Sequence, residues 1–220
     1  MIRRLYLFLT ELLYHQFAWT YDGVAALVSA GLWQEWVRSI LPDLAGHRIL
    51  ELGHGPGHLQ AALLKGGQRV VGLDKSPQMT RQAVHRLRKQ FPPPASSLVH
   101  GDAFYLPFAP QTFDCVAATF PTNYVTARET VAEVYRVLAP GGKFIVMPGA
   151  RLVAPHGAAQ HFAGWIYRVF GLSQDWSPVA SQWFANPMRQ AGFIVSVEKR
   201  PFEKRPFHTS EIFVIIGHKL

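Results

Sequence analysis

Several residue types and patterns are scarce in this chain, and each scarcity excludes a class of protein. The 220 residues include one cysteine, Cys115, so an internal disulfide framework is excluded. Its place inside the apolar run "FDCVAATF" indicates a packed core residue rather than a nucleophile. Charged residues make up 16% of the chain and hydrophobic ones 49%, which excludes a disordered chain and predicts one globular domain. No stretch reaches the roughly 18–20 uninterrupted apolar residues that a bilayer span needs.

Acidic residues are also few, at 14 against 22 lysines and arginines, for a net charge of +8. An excess of positive charge is typical of proteins that bind an acidic partner such as nucleic acid, an anionic membrane or a negatively charged substrate. It is equally consistent with a basic surface that contacts only solvent. The lone cysteine is consistent with a reducing compartment, so we expect a cytoplasmic protein.

The N-terminal stretch "MIRRLYLFLTELLYHQFAW" has the two arginines and the greasy run of a secretory signal. Glu11 and His15 interrupt it, however, and no small-residue cleavage site follows. Apolar residues from Ile2 to Leu13 recur instead at helical spacing. We predict an amphipathic helix that packs on its own domain, with contact to a membrane surface as the alternative.

Short apolar runs alternate with helical patterns from about residue 45 onwards. Strands are predicted at 48–52, 69–74, 98–102, 113–120 and 143–148, and helices at 57–65, from Ser76 to about Gln90, and within 127–142, where "APGG" is a helix stop. Because the strands read as continuous Val/Ile/Leu runs, we expect a parallel sheet with helices on both faces, a doubly wound α/β fold.

The C-terminal part leaves this rhythm. Residues 151–176 are rich in aromatic side chains and show no strand pattern, and a helix is predicted after them, up to Ala191. The runs "GFIVSVEKR" and "EIFVIIGHK" then predict two strands joined by a loop around "PFEKRPF".

The stretch "ILELGHGPGHL" places a glycine-rich loop directly after the first strand. Gly53, Gly55 and Gly57 do not have the G-x-G-x-x-G spacing of a dinucleotide site, and the Gly-Lys-Ser/Thr ending of a P-loop is absent. Pro56 offers no backbone donor to a phosphate. A carboxylate at Glu51 repels phosphate and suits a ligand that carries an amine or a positive charge.

Two further acidic residues follow the next two strands. Asp74 can accept hydrogen bonds from vicinal ribose hydroxyls, and Asp102 from an amine such as adenine N6, while Ala103 can donate a backbone N–H to a ring nitrogen. The carboxyl ends of parallel strands meet at one sheet edge, where ligands bind in open α/β folds. The three signals together predict a nucleoside ligand without phosphate.

In order along the chain, "LELGHGPGHL", "VVGLDKSPQM", "HGDAFYLPF", "FDCVAATF" and "EVYRVLAPGGKFIVM" resemble the motifs of class I S-adenosylmethionine-dependent methyltransferases, in the style of the ubiquinone/menaquinone C-methylases. The likeness covers about residues 45–148. It implies a doubly wound, mostly parallel seven-stranded sheet whose last strand is antiparallel. The expected divisions of the single domain are an N-terminal helical cap (1–44), a cofactor-binding core (45–148), an aromatic-rich lid and helix inserted after strand five (149–192), and a C-terminal strand pair (193–220).

The resemblance also implies an S-adenosyl-L-methionine site. It assigns Glu51 and the loop glycines to the methionine and ribose portion, Asp74 to the ribose, and Phe120 to the methionine part and the acceptor. The implied cofactor-binding residues are Tyr21, Glu51, Gly53, His54, Gly55, Gly57, Asp74, Lys75, Met79, Asp102, Ala103 and Phe120. Of these, Lys75 and Met79 are expected around the adenine and Tyr21 near the cofactor.

Histidines raise two other possibilities. His54 and His58 have the i, i+4 spacing of a zinc pair, but a Gly-Pro-Gly lies between them and no Glu follows the first, so we expect no metal site. Methyl transfer needs a general base only if the acceptor holds its proton near pH 7. Candidates for that base are His15, Tyr124, His156 and His161.

The acceptor is not fixed by these motifs. Aromatic residues of the N-terminal region, including Trp33, and of the stretch 151–187 can either pack the caps or line a pocket for an apolar, lipid-like or aromatic small molecule. The N-terminal helix or the lid could then touch a membrane. The alternatives are a nucleic-acid methyltransferase, disfavoured because "FPTNY" lacks the Asn/Asp-Pro-Pro-Tyr order, and a non-catalytic S-adenosylmethionine-binding protein.

Overall fold

The computed structural model describes residues 23, 29, 31–44, 46, 48–92, 97–154, 178–204 and 208–220. The α-helices in this part are α1 (Trp33–Arg38), α2 (His58–Lys65), α3 (Pro77–Arg88), α4 (Arg128–Val137) and α5 (Pro178–Gln190). The strands are β1 (Arg48–Leu52), β2 (Arg69–Asp74), β3 (Ser97–His100), β4 (Phe113–Thr119), β5 (Leu138–Ala154), β6 (Ile194–Lys204) and β7 (His208–His218). Short 3₁₀ helices cover Leu41–Asp43 and Asn123–Thr126.

The seven strands form one sheet in the order β3-β2-β1-β4-β5-β7-β6. Strands β1 to β5 pair in parallel, and β7 runs antiparallel to both of its neighbours, β5 and β6. The order changes direction at β1, where β2 lies on one side and β4 on the other. The predicted doubly wound sheet with an antiparallel last strand is therefore confirmed, and its switch point lies at the glycine loop that follows β1.

The start of α3 shows how the local sequence sets an element. Ser76 is the N-cap, with extended backbone, and its hydroxyl accepts a hydrogen bond from the Met79 N–H at 3.3 Å. Pro77 occupies the first turn, where its missing N–H leaves no carbonyl without a partner. Serine and proline are residue types that these two positions favour.

The helix stop "APGG" acts earlier than the sequence suggests. Helix α4 ends at Val137, and β5 begins at Leu138 instead of residue 143. Pro140 cannot continue a helix, and Gly141 adopts φ +76. The pairing with β4 jumps from Phe113↔Leu138 to Cys115↔Lys143, so the extra residues bulge out of the ladder.

Strand β5 is also longer than predicted at its other end. The expectation of no strand from residue 151 onwards is wrong for residues 151–154, which continue β5 and pair with β7. The extension carries an ion pair, since Arg151 contacts Glu211 at 2.6 Å. The proposed lid boundary at 149 therefore falls inside a strand, while residues 155–177 lie outside the described residues.

Both faces of the sheet are covered, and β4 shows the alternation most clearly. Val116 and Ala118 join one apolar cluster with α4 and α5, whereas Cys115 and Ala117 join a second cluster with α1 and α2. Trp36 of α1 is fully buried in that second cluster. Burial raises the pKa of the Cys115 thiol to about 12, so this cysteine is a core residue, as predicted.

Within the described part of the chain, none of the helices combines the length and the apolar character that crossing a bilayer requires. The described portion of α1 instead packs its apolar side against the sheet. The predicted helix of residues 2–13 lies outside the described residues. The division of the domain into cap, core, lid and strand pair stays a prediction.

Candidate functional site

The glycine loop turns the chain sharply at the carboxyl end of β1. Gly53, Gly55 and Gly57 have φ values of +67, +51 and +83, a region that costs other residues roughly 1–2 kcal/mol each. The Gly53 N–H donates to the Leu73 carbonyl at 2.7 Å and so ties the loop to β2. A Cβ added at Gly55 would have no neighbour within 4 Å, so this glycine leaves open space over the loop.

The third glycine lies where two helices pack closely together. Gly57 is the N-cap of α2, and a Cβ there would lie 3.0 Å from Cβ and 3.2 Å from Cα of Ala83 in α3. Its role is thus the close approach of two helices. The loop is held from the same helix by Arg86, whose guanidinium donates to the Pro56 carbonyl.

Asp74 joins the end of β2 to the glycine loop. One carboxylate oxygen accepts the Gly55 N–H and the other the Ser76 N–H, both at 2.8 Å. The side chain is largely buried, at 7% exposure. A carboxylate has about four acceptor positions, so two remain for hydroxyl groups of a ligand.

Glu51 lies deeper under the loop, almost fully buried. Burial raises the pKa of its carboxyl to about 8, the negative charge of Asp74 adds to the rise, and a hydrogen bond from the Gln60 amide (2.7 Å) opposes it. At neutral pH most molecules therefore carry a neutral Glu51 carboxyl until a cationic ligand approaches.

His54 is packed beneath the same loop. Its Nδ1 lies 2.7 Å from the Gly55 carbonyl, which assigns the ring proton to Nδ1, and its buried Nε2 has no hydrogen-bond partner among the described residues. The ring and the Gln60 amide occupy the space over Gly72, where a Cβ would be within about 3 Å of either. Burial lowers the pKa of His54, although Asp74 opposes the shift.

The described residues contain no group of three histidine, cysteine, aspartate or glutamate side chains able to hold a metal ion. His58 begins α2 and lines the same cavity as His54. The two rings differ in their surroundings, because His54 is buried under the loop while His58 is half-buried at the first turn of the helix.

The turn after β3 presents Asp102 and Ala103. The Asp102 carboxylate accepts the Phe104 N–H at 3.0 Å and the Lys75 ammonium at 2.8 Å, and the Lys75 contact holds the pKa of Asp102 below its usual range. Lys75 thus reaches the site as the ion-pair partner of Asp102. Met79, by contrast, is fully buried in α3.

Aromatic side chains form the opposite wall. Phe120, the first residue after β4, has φ +47 and donates its N–H to the Met147 carbonyl at 2.8 Å. Its ring stacks on Trp33 of α1, with centroids 3.8 Å apart and planes 24° apart. The cap and the sheet therefore meet at this pair.

Tyr124 is the one general-base candidate that the structure describes. Its hydroxyl donates to the Leu52 carbonyl at 3.1 Å, and a Cβ on Gly53 would lie 2.5 Å from the hydroxyl oxygen. The Tyr124 hydroxyl therefore lies in close contact with the start of the glycine loop. The remaining candidates, His15, His156 and His161, lie outside the described residues, as does Tyr21.

Most of these features border one cavity of about 370 Å³ at the carboxyl edge of the sheet. It falls in the usual range of small-molecule sites, roughly 300–1,000 Å³. Its wall includes nine of the residues expected from the sequence, namely Glu51, Gly53, His54, Gly55, Asp74, Lys75, Asp102, Ala103 and Phe120, together with Tyr124. Within the described part of the chain, neither Gly57 nor Met79 belongs to that wall.

Sequence reasoning did not assign several lining residues. Thr119 is the last residue of β4, and Ser76 follows the end of β2 by two residues, so these positions could have indicated them. Val37 and Leu59 come from helices and carry no sequence signal for a site. Trp33 was expected only as one of many aromatic residues of the cap.

The cavity fits an adenosyl ligand. The open backbone over Gly55, the two remaining acceptor positions of Asp74 and the Asp102-Ala103 turn are candidate partners for a ribose and an adenine. Glu51 is a candidate partner for an ammonium group. Because Pro56 lacks an N–H and several carboxylates converge here, the donor set suits a nucleoside cation and not a phosphate.

Comparisons with known proteins agree with this geometry. Residues 50–146 match the family described as Methyltransferase domain. The chain is 29% identical over 209 residues to a demethylmenaquinone methyltransferase of Symbiobacterium thermophilum, an alignment that covers 91% of this chain and 81% of that enzyme. It is 30% identical over 147 residues to a ubiquinone/menaquinone biosynthesis C-methyltransferase of Blochmanniella floridana, covering 64% of this chain and 58% of the relative, which is little more than half of its length.

Among solved structures, the fold matches geranyl diphosphate C-methyltransferase of Streptomyces coelicolor, with a TM-score of 0.62 at 13% identity over 88% of this chain and 82% of that one. Fold, site and comparisons together define a class I S-adenosylmethionine-dependent methyltransferase, an enzyme whose methyl donor is S-adenosyl-L-methionine. Within that class, the chain is similar to the quinone C-methyltransferases.

Proposed function

We propose that this methyltransferase transfers the methyl group to a small, lipid-like acceptor that enters the apolar side of the cavity. The observation that carries the proposal is that one cavity joins a polar wall to an aromatic wall. The relatives named for demethylmenaquinone and for ubiquinone/menaquinone biosynthesis support an acceptor of that character.

In this proposal, the polar wall binds the cofactor. Asp74 accepts the ribose hydroxyls, Asp102 accepts the adenine amine, and the Ala103 N–H donates to a ring nitrogen. Glu51 faces the methionine ammonium, whose positive charge favours the ionised carboxylate. The ion pair with Lys75 fixes the Asp102 carboxylate in place. Because the Lys75 side chain is mostly exposed, its ammonium group does not occupy the space in which the adenine would lie.

The cofactor, when bound, supplies a methyl group already activated on a sulfonium. The chain then has to bind the acceptor in line with the methyl carbon and keep water out. The acceptor atom donates an electron pair to the methyl carbon, the carbon–sulfur pair stays on sulfur, and the acceptor releases one proton. The Tyr124 hydroxyl donates a hydrogen bond to the Leu52 carbonyl at the base of the glycine loop, and we assign Tyr124 to positioning that loop.

The proposed function is tested by incubating the protein with methyl-labelled S-adenosylmethionine and a cell extract, followed by separation into lipid, small-molecule, nucleic-acid and protein fractions. Label is expected in the lipid or apolar small-molecule fraction. A variant with Asp74→Asn is the control and should transfer little label to any fraction. Label that appears in the nucleic-acid fraction with the wild-type protein would establish the rival function.

A lipid-like acceptor also raises the question of how the enzyme reaches it. We extend the proposal to peripheral contact with an anionic membrane, supported by the net charge of +8 and by the amphipathic pattern of residues 2–13. Flotation with anionic vesicles at low salt is the measurement. A protein that remains at the bottom of the gradient in both low and high salt contradicts membrane contact and leaves methyl transfer untouched.

A further inference from the structure

Helix α3 carries positive charge that its surroundings do not neutralise. No acidic residue lies between Asp74 and Asp102, a stretch that contains the whole helix, and its lysines and arginines are Lys75, Arg81, Arg86, Arg88 and Lys89. Two of these are engaged within the molecule, because Lys75 pairs with Asp102 and Arg86 donates to the Pro56 carbonyl. The other three have no carboxylate partner among the described residues.

The two sides of α3 differ sharply. Its buried side consists of Met79, Ala83 and Leu87. Exposed basic side chains four and three residues apart form a row on the other side, namely Arg81, His85 and Arg88. Lys89, the C-cap, prolongs this row. At 1.5 Å per residue, the row from Arg81 to Lys89 extends over about 12 Å of surface.

The neighbouring helix enlarges the charged surface. Helix α2 packs against α3 where Gly57 meets Ala83, and both helices run from the carboxyl edge of the sheet to its amino edge. Lys65 ends α2 and Arg69 begins β2, so both lie at that amino edge, and both are exposed. We call the combined surface the basic face, and it consists of Lys65, Arg69, Arg81, His85, Arg88 and Lys89.

The chemistry of the basic face is charge without apolar surface. Among the described residues, the large apolar side chains that are exposed all lie on elements other than α2 and α3. The face therefore has no ring on which the bases of single-stranded nucleic acid could stack, and no side chain that would enter hydrocarbon. Clusters of about four to eight lysines and arginines are typical of surfaces that bind anionic lipid headgroups.

We infer that the basic face rests on the headgroups of an anionic membrane, held by electrostatic attraction and without insertion of apolar side chains from this face. The inference rests on the proposed function, and it names the surface that makes the membrane contact. Ser76, the N-cap of α3, lines the cavity. A membrane that lies along α3 therefore passes close to the cavity in which a lipid-like acceptor would react.

Flotation with two kinds of vesicle tests the nature of the contact. The vesicles are phosphatidylcholine with and without phosphatidylglycerol, each at low and at high salt. The wild-type protein should float only with the anionic vesicles at low salt, because salt screens exposed charges. Absence of flotation overturns the inference, and so does flotation that persists at high salt, which would indicate apolar insertion elsewhere in the chain.

Paired variants locate the contact on the molecule. Arg81→Gln/Arg88→Gln removes two charges from the basic face. Arg128→Gln/Arg189→Gln is the matched control, because these exposed arginines belong to α4 and α5, which pack on the opposite face of the sheet. The first variant should bind the anionic vesicles about tenfold more weakly than the wild type, and the control within about threefold of it. Equal weakening in both variants would show an effect of net charge alone and overturn the inference.

Two further measurements separate this inference from its rivals. S-adenosylhomocysteine should bind both variants as it binds the wild type. If it fails to bind the wild type, the proposed function is wrong; if it binds while Arg81→Gln/Arg88→Gln floats like the wild type, only the basic face is wrong. Random-sequence RNA is then titrated by fluorescence anisotropy. Loss of RNA binding in that variant, with vesicle binding unchanged, would assign the face to nucleic acid and overturn the inference.

Discussion

Asp74 has both a structural task and a task in binding the ligand. Its carboxylate holds the Gly55 and Ser76 amides, and in the proposed complex it also accepts the ribose hydroxyls. The sequence predicts the second task from the position of Asp74 at a strand end. The first task depends on how close the glycine loop comes, which only the folded chain shows.

Replacing Asp74 by Asn should weaken binding of S-adenosylhomocysteine at least tenfold. Hydrogen bonds to a charged group contribute about 1.5–3 kcal/mol, and the NH2 group of the new amide would face either the Gly55 or the Ser76 N–H, donor to donor. Titration calorimetry measures the effect. Asp114→Asn is the control, because Asp114 pairs with Arg48 at the start of β1 and β4, the opposite end of both strands, and its variant should bind as the wild type does; equal binding by Asp74→Asn contradicts the assignment.

Glu51 makes the stability of the ligand-free protein depend on pH. Its pKa is about 8 in the folded chain against an ordinary value of 4.5, so the folded state binds more protons between these limits. The contribution of Glu51 to stability is complete below pH 4.5 and is lost as the pH rises through 8. One group with this shift lowers the free energy of unfolding by about 1.4 kcal/mol per pH unit within that window.

Urea unfolding at pH 5, 6, 7 and 8 tests this titration. The Glu51→Gln side chain cannot ionise. The free energy of unfolding of this variant should therefore rise steadily relative to that of the wild type from pH 5 to pH 8. Glu129→Gln, at an exposed position of α4, should follow the wild type throughout. Parallel curves for wild type and Glu51→Gln would show that the folded carboxyl ionises normally.

At the level of elements, the contact between α2 and α3 depends on the missing side chain of Gly57. Alanine at this position would meet both the strained φ of +83 and the backbone of Ala83 at 3.2 Å. Gly67 has a similar φ of +75 with nothing within 4 Å of the added atom. Comparing alanine substitutions at these two positions therefore separates the cost of backbone strain from the cost of a steric clash.

Gly57→Ala should lower the free energy of unfolding by about 2–4 kcal/mol, and Gly67→Ala by only about 1–2 kcal/mol, because strain acts at both positions and overpacking at the first alone. Urea unfolding at one pH gives both values. Equal losses would mean that α2 and α3 move apart at little cost.

The boundaries of the elements show where sequence patterns lose precision. The limits of β1 and β2 are as predicted because strand-forming runs end at loop residues on both sides. The C-terminal limit of β5 was missed because its extension to Ala154 depends on pairing with β7, more than 50 residues away. Local pattern gives no information on such pairing.

For the whole molecule, the simplest consequence of the cofactor site is a higher melting temperature. A ligand that binds only the folded state stabilises it by RT ln(1 + [L]/Kd), about 2.7 kcal/mol at a hundred times Kd. S-adenosylmethionine or S-adenosylhomocysteine at millimolar concentration should raise the temperature measured by differential scanning fluorimetry by several degrees. NAD serves as the control, and a shift with NAD in place of the adenosyl ligands contradicts the cofactor assignment.

Much of the site was predictable because chemistry and topology coincide. Glu51, Asp74 and Asp102 stand at or beside the carboxyl ends of successive parallel strands, and such ends meet at one edge in any doubly wound sheet. Met79 and Gly57 were expected at the cofactor but do not line the cavity. A helix residue one turn from a strand end can point to the core as readily as to the ligand, and its sequence neighbours do not show which.

The sequence by itself determined the doubly wound, mostly parallel sheet and the identity of the methyl donor, because these depend on short motifs whose residues are neighbours in the chain. The tertiary structure decided the rest. It brought Trp33 of the cap onto Phe120, placed Tyr124 on the glycine loop and buried Glu51 so deeply that its pKa rises to about 8. Each of these depends on contacts between segments distant in sequence, and on the exclusion of water that only a packed fold produces.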